Sequence, residues 1–337
     1  MSEAISSDAQ RPAAETGRGL ASYWNCFKGI VWREVLRFLH QRERFLSALV
    51  RPLVWLFIFA AGFRQVLGVS IIPPYTTYVL YETFVTPGLV GMILLFNAMQ
   101  SSLSMVYDRE TGAMRTLLVS PFPRSFLLTS KLCGGVLVAV LQAYTFLLVA
   151  RIWESWSWNS SLTRNWQWND ITGSIGAAAS AFADNIGQTL FQFGNVDPIW
   201  TGYLTLLPAL ILAGLMLGSL ALLMSSVIKQ LENFAGVMNF VIFPMFFMSS
   251  ALYPIWRIKE SSPMLAALAW ANPFTHAVEL IRFALYGQIG PELEGGGRDL
   301  THLMIVIGCT VVFLGAAIFA YNPSKGLIAR RGGPGGG

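Results

Sequence analysis

Six long apolar runs set the limits on what this chain can fold into. They lie at about residues 45–63, 84–107, 125–150, 203–228, 234–253 and 303–321. An α-helix of about 20 apolar residues crosses the hydrocarbon core of a bilayer. Hydrophobic residues make up 54% and charged residues 12% of the sequence, whereas soluble domains carry about 25% charged residues. The sequence therefore predicts an all-α membrane protein with six transmembrane helices.

A short charged segment separates the second run from the third. Residues 108–110 are Asp-Arg-Glu, and the chain must leave the membrane there because ionisable side chains are costly in the bilayer core. Residues 113–119 then form one or two helical turns with an apolar side. Pro121 and Pro123 end that helix because proline has no backbone N–H to donate. The pattern predicts a short helix across the mouth of two membrane helices, placed to receive a push from a soluble partner.

The same segment resembles the coupling helix of the type-2 ATP-binding-cassette (ABC) exporter permeases. The resemblance is carried by Asp108, Arg109, Glu110, Gly112, Leu117, Leu118, Ser120, Pro121 and Lys131. The sequence departs from the family pattern at Ala113, where Thr is common, and at Arg115, where Glu is common. Arg115 reverses a charge at the expected ATPase contact. The alternative interpretation is an ordinary cytoplasmic loop whose charges anchor two spans.

The resemblance implies a membrane subunit that forms the translocation path of an exporter, as a homodimer with two separate cytoplasmic ATPase chains. ATP and Mg²⁺ are then bound by the ATPase, and no cofactor by this chain. The implied partners are the ATPase, a second permease and membrane lipid, with no nucleic acid. The residues expected to couple to the ATPase are Asp108, Arg109, Glu110, Gly112, Arg115, Leu117 and Leu118.

Four regions are predicted along the chain. Residues 1–20 and 323–337 lack apolar runs and are predicted to be disordered cytoplasmic tails. In residues 21–46, apolar side chains recur at three- and four-residue steps with Lys and Arg between them. This pattern predicts an amphipathic helix at the membrane interface. It is a plain surface anchor or, as the family resemblance implies, a helix that touches the ATPase. Residues 47–322 are predicted to be the six-span permease domain.

Residues 151–200 interrupt the permease domain with a different composition. More than half of the 11 tryptophans lie there, among Ser, Asn, Gln and Gly. The segment is too polar to span, and indole rings favour headgroup depth. It is predicted to be an external excursion on the outer membrane surface, either a lid or partner-binding cap, or a surface-packed loop without a dedicated role.

Polar residues inside the apolar runs are candidates for a translocation path. They are Asn97, Gln100, Gln142 and Asn239. Such side chains line a substrate path or, more often, form hydrogen bonds between membrane helices. Farther along, Asn272-Pro273 precedes an amphipathic stretch that contains Arg282. This motif resembles the short re-entrant external helices that precede the last span in the same exporter family.

Motifs for catalysis are missing from the sequence. It contains no G-x-x-x-x-G-K-[ST] phosphate loop, no H-E-x-x-H and no nucleophile elbow. The three cysteines have no metal or redox spacing. The three histidines are scattered, so each is predicted to be a surface or interfacial residue. No catalytic or metal site is therefore predicted, and the chain is predicted to be a transport subunit, not an enzyme.

Two other functional classes remain open on the sequence. One is a membrane-embedded enzyme acting on lipids or polyprenols, for which outer carboxylates would supply the acid and base groups. These carboxylates are Glu154, Asp170, Asp184, Asp197, Glu260 and Glu279. The other is a scaffold whose Trp-rich excursion binds a periplasmic protein.

The positive charges predict an orientation. Most of the 23 lysines and arginines fall in the two termini and the loops that six spans place on the same side. By the positive-inside rule, both termini and the coupling segment are cytoplasmic, in the inner membrane of a bacterium. Residues 32–35, 49–64 and 272–288 are also similar to permeases that accompany PQQ-dependent alcohol oxidation systems, a likeness that implies no certain substrate.

Overall fold

The computed structural model describes residues 19–40, 49–58, 81–110, 122–159, 198–228, 230–286 and 298–321. These residues form α-helices and contain no β-strand. In chain order the helices are α1 Leu20–His40, α2 Leu49–Ile58, α3 Tyr81–Glu110, α4 Arg124–Asn159, α5 Pro198–Val227, α6 Leu231–Phe247, α7 Ile255–Ser261, α8 Pro263–Ala271, α9 Pro273–Tyr286 and α10 Arg298–Ala320. The all-α prediction is confirmed for this part of the chain.

Four helices are long and apolar enough to cross a membrane. The spanning stretches are Phe84–Asp108 in α3, Arg124–Ala150 in α4, Leu206–Val227 in α5 and Leu300–Ala320 in α10. They coincide with four of the six predicted runs. The first and fifth runs coincide with the shorter apolar helices α2 and α6, and residues on both sides of α2 lie outside the described ranges. The chain is a helical membrane protein with four candidate spans among its described residues.

Helix α6 is shorter than the fifth apolar run predicted. The run continues to residue 253, but the helix ends at Phe247 and a turn occupies 248–254. The Asn272 side chain donates hydrogen bonds to the carbonyls of Met245 and Met248, at 2.7 and 3.2 Å. The Ser249 hydroxyl accepts a hydrogen bond from the Ala251 N–H at 3.1 Å. These side chains satisfy the backbone where the helix stops, so apolar composition alone overestimates its length.

Helix α4 is longer than predicted. It has 36 residues and continues to Asn159, so the first nine residues of the predicted external excursion are helical. At 1.5 Å per residue, α4 is about 54 Å long, whereas a bilayer core is about 30 Å thick. The helix therefore projects beyond the membrane. Residues 160–197 lie outside the described ranges, and the surface location of the excursion stays a prediction.

Helix α5 lies at the centre of the fold and packs against α3, α4, α9 and α10. Gly214 and Gly218 lie where α5 meets α4. A Cβ on Gly214 would lie 3.0 Å from Cγ1 of Val136, and a Cβ on Gly218 would overlap Leu132. The two glycines therefore permit the close helix contact that their spacing predicts.

The predicted amphipathic helix is present as α1, which packs along α4. Glu34 of α1 is buried beside Gly134 of α4, where a Cβ would lie 3.2 Å from the glutamate side chain. The Tyr23 ring meets the rings of Phe122 and Phe126 edge-on, both at 5.1 Å between centroids. Helix α1 thus lies beside the residues that follow the charged segment.

Candidate functional site

The charged end of α3 is joined to α4 by an ion pair. Asp108 Oδ2 lies 3.0 Å from Nζ of Lys131, and the two side chains are only 14% and 7% exposed. Partial burial reduces the screening that makes surface ion pairs weak. Asp108 is one of the residues predicted to couple to the ATPase, which stays a prediction; its carboxylate links the membrane helices α3 and α4.

Glu110, the last residue of α3, contacts a different helix. Its Oε1 accepts a hydrogen bond of 2.8 Å from the backbone N–H of Leu231, the first residue of α6. The N-cap residue of α6, Gln230, makes no side-chain capping bond, and its side-chain oxygen accepts from Asn233 Nδ2 at 2.7 Å. Glu110 therefore satisfies one of the N–H groups that a helix start leaves unpaired, and its negative charge suits the helix dipole.

The remainder of the predicted coupling segment lies outside the described residues. This applies to Gly112, Arg115, Leu117 and Leu118, and to the side chain of Arg109. Their contact with an ATPase stays a prediction. The residues on either side of the segment are in contact with other helices. At the end of α3, Asp108 pairs with α4 and Glu110 bonds to α6. Just before α4, the Phe122 ring meets the Tyr23 ring of α1.

Two of the four candidate path residues meet in the middle of the fold. Asn97 of α3 donates a hydrogen bond from Nδ2 to Oε1 of Gln142 in α4, and another of 3.0 Å to the carbonyl of Ile93. Asn97 is 8% exposed and Gln142 is fully buried. Gln100 is partly exposed, and Asn239 is exposed on α6. The Asn97–Gln142 pair supports interhelical packing as the role of these two residues, whereas Asn239 remains open to contacts outside the described chain.

A small space lies between α3, α4 and α5. It has a volume of about 20 Å³ and is lined by Ser101, Ser102, Lys131, Gly135 and neighbouring apolar side chains. A volume of this size holds about one water molecule. The three helices are therefore closely packed around it in this structure.

The predicted external motif is a rigid junction at the opposite end of α3. Asn272 ends α8 and begins α9, with Pro273 at the first helical position, where a missing N–H has no cost. Asn272 Oδ1 accepts a 3.0 Å hydrogen bond from the Phe274 N–H, while Nδ2 donates to the end of α6 as described above. One side chain thus caps α9 and holds the end of α6.

Arg282 of α9 fixes that helix to the start of α3. The side chain is buried and forms an ion pair with Glu279. Its Nη2 donates to the carbonyls of Ser250 at 2.8 Å and Phe84 at 3.4 Å, and the guanidinium lies 4.1 Å from the centre of the Phe84 ring. The arginine of the predicted motif therefore has a structural role in joining three parts of the fold.

Two of the histidines, described from the sequence as scattered, are brought together. His276 Nδ1 and His302 Nδ1 are hydrogen-bonded between α9 and α10, and both residues are buried. His276 Nε2 also donates to the Trp270 carbonyl at 2.8 Å. Burial lowers the pKa of His276, the Trp270 carbonyl raises it, the charge of His302 lowers it and that of Glu279 raises it, with a net decrease. No sequence spacing indicated this pair, because its members lie on two different helices.

Comparison with known proteins agrees with this architecture. The sequence model of the ABC-2 type transporter family matches residues 25–168 and 187–286. Nodulation protein J of Rhizobium leguminosarum bv. viciae is 24% identical over 71% of this chain and 84% of its own length. Nodulation protein J of Sinorhizobium fredii is 26% identical, over 59% of this chain and 72% of its own. A protein named "Probable multidrug ABC transporter permease YbhR" in Escherichia coli is 28% identical, over 60% of this chain and 43% of its own.

The family match covers both the charged end of α3 and the helices α8 and α9 that surround Asn272. These are the two regions where the sequence resembled type-2 ABC permeases, and the resemblance is confirmed at the level of the family. The chain therefore belongs to the ABC-2 type transporter family and is a membrane transport permease.

Proposed function

We propose that this permease is the membrane subunit of an ATP-driven exporter, coupled to a separate cytoplasmic ATPase through residues 108–119. One observation carries the proposal. The helix that leads into this segment ends in two carboxylates, and each is bonded to another membrane helix, Asp108 to α4 and Glu110 to α6. A displacement of the segment is therefore passed directly to three helices.

The energy source is expected to be outside this chain. The sequence has no phosphate-binding loop for ATP, so ATP and Mg²⁺ are assigned to the partner. Both termini and the segment 108–119 are placed in the cytoplasm by the distribution of Lys and Arg. A homodimer supplies the path, as the resemblance to type-2 exporter permeases implies. The likeness to permeases of PQQ-dependent alcohol oxidation systems is retained as a hypothesis about the subfamily.

The described residues give no support to a membrane-embedded enzyme. Of the carboxylates considered for it, Glu279 is paired with Arg282 and Glu260 lies on the separate helix α7. The side chains of the other four lie outside the described part of the chain.

Purification of the tagged permease in mild detergent, together with the proteins of its own host, tests the proposal. We expect a soluble ATPase to co-purify in stoichiometric amount. Arg115→Glu, in the segment, should change the amount of bound ATPase several-fold. Lys259→Glu, an exposed residue of α7 at the other end of the fold, is the matched charge reversal and should have no effect. A wild-type permease that binds no ATPase and shows no ATP-dependent activity would contradict the proposal.

A further inference from the structure

The two carboxylates at the end of α3 differ in what they can transmit. Asp108 is largely buried in its ion pair with Lys131, so it holds α3 against the adjacent span α4. Glu110 lies two residues further on and is exposed, and its partner Leu231 is 121 residues away in sequence. The contact of Glu110 is the connection between the start of the charged segment and α6.

The start of α6 depends on this contact. Gln230 has the extended backbone of an N-cap residue, but its side chain does not cap the helix. A side-chain oxygen that accepts from the first N–H groups is the usual device at a helix start. Here the oxygen comes from another helix, so Glu110 couples the start of α6 to the end of α3.

Helix α6 also differs from the central spans in its surroundings. Phe240 is 78% exposed, and Asn239 and Phe243 are exposed as well. Its other face packs into the core through the buried side chains of Phe234, Ile242 and Phe246. Polar contacts from Glu110 at its start and Asn272 at its end add to this packing.

We propose that Glu110 is a positioning residue that passes movement of the segment 108–119 to α6, and that it is not itself a contact with the ATPase. The inference rests on the proposed function, because it assumes that an ATPase moves the segment. When the end of α3 is displaced, the Glu110 carboxylate carries the Leu231 backbone with it. Helix α6 then moves together with α3 instead of remaining in place.

Three variants separate this role from simple helix capping. Glu110→Gln keeps an oxygen acceptor, so its α6 movement on ATP addition should stay within about twofold of that of the wild type. Glu110→Ala removes the acceptor, so movement of the segment 108–119 should no longer be passed to α6. Glu110→Ala combined with Gln230→Asp supplies α6 with a cap of its own, because Asp is a preferred N-cap residue, but it does not restore the link to α3.

The readout is the movement of α6 in the complete complex with its ATPase. The native residues Cys26, Cys133 and Cys309 are replaced, and Phe240→Cys is labelled with a soluble maleimide before and after addition of ATP and vanadate. We expect the wild type to change its labelling rate at least about fivefold on ATP addition. Glu110→Ala should bind the same amount of ATPase but lose this change, and the double variant should regain thermal stability without regaining the response.

Each other outcome overturns the inference. Loss of the ATPase from Glu110→Ala would make Glu110 a contact with the partner. An ATP response that persists in Glu110→Ala, or returns in the double variant, would show that the link to α3 is not needed. If the wild-type permease binds no ATPase at all, the proposed function fails and the inference fails with it. If the wild type binds the ATPase but Glu110→Ala still responds to ATP, only the inference fails.

Discussion

His276 Nδ1 lies 2.7 Å from His302 Nδ1, so two imidazoles join α9 to the start of α10. The Trp270 carbonyl only accepts hydrogen bonds, so Nε2 of His276 carries a proton. In neutral His276 the other nitrogen, Nδ1, is then an acceptor, and the proton between the rings belongs to His302. This assignment follows from the hydrogen-bond pattern. A proton added to Nδ1 of His276 makes that atom a donor, so the link then requires His302 to give up the proton on its own Nδ1.

Acidification should therefore destabilise the fold through His276. Its pKa is lowered, chiefly by burial, so the folded state favours the neutral ring. The contribution of the neutral His276 ring to the free energy of unfolding is complete above the ordinary histidine pKa of about 6.5. It is lost as the pH falls below that value. Between about pH 8 and pH 5, we expect the thermal unfolding midpoint in detergent to fall. His276→Gln should reduce this pH dependence, whereas His40→Gln, a change at an exposed histidine, should leave it unchanged.

Gly88→Ala should destabilise the junction between α3 and the turn after α6. A Cβ at Gly88 would lie 2.6 Å from the carbonyl oxygen of Ala251 and 2.8 Å from its Cα. Backbone atoms cannot rotate away, so we expect a loss of about 1–3 kcal/mol. Gly308→Ala is the control, because no atom lies within 4 Å of its Cβ position. Equal thermal unfolding midpoints for the two variants would contradict the packing at Gly88.

The Asn97–Gln142 pair should behave as a packing interaction. Gln142→Leu removes one partner and leaves a buried amide, at an expected cost of about 1–2 kcal/mol. Replacing both residues by Leu should recover part of this stability, because the buried amide of Asn97 is then removed as well. A double variant that is stable but inactive in ATP-dependent transport would instead indicate that the pair contacts the substrate.

Asn272→Ala should lower the stability of the protein, whereas Asn239→Ala should not. Asn272 loses the hydrogen bonds to Met245, Met248 and Phe274, and caps of this kind contribute about 1–2 kcal/mol. Asn239 is exposed on α6, so Asn239→Ala should change the unfolding midpoint little. A comparable decrease in both variants would show that the exposed position of Asn239 is covered by another chain.

The spans could be predicted from the sequence because membrane crossing depends on local composition, which a run such as Leu206–Val227 displays by itself. The ends of helices were harder to predict. Helix α6 stops at Phe247 inside an apolar run, because Asn272, a residue remote in sequence, supplies the hydrogen bonds there. Apolar composition therefore locates a membrane helix better than it locates the residue at which the helix ends.

The role of each polar residue could not be predicted, because it depends on which helix face meets a neighbour. Asn97 and Asn239 look alike in sequence, each an amide within an apolar run, yet the first is buried and the second exposed. The charged end of α3 lies within the residues that match the family, but the contacts of Asp108 and Glu110 could not be predicted because their partners lie 23 and 121 positions away in sequence.

The bonds at the two ends of α3 form a closed linkage. Glu110 holds the start of α6, Asn272 holds the end of α6 to α9, and Arg282 of α9 returns to the Phe84 carbonyl at the far end of α3. In such a triangle of three stiff helices, no angle can change unless the bond at one corner opens. Any sliding of α6 along α3 must open a corner. The Arg282 corner is buried and protected from water, so it is the fixed corner, and a displacement that enters at Glu110 turns α3 and α6 together about it.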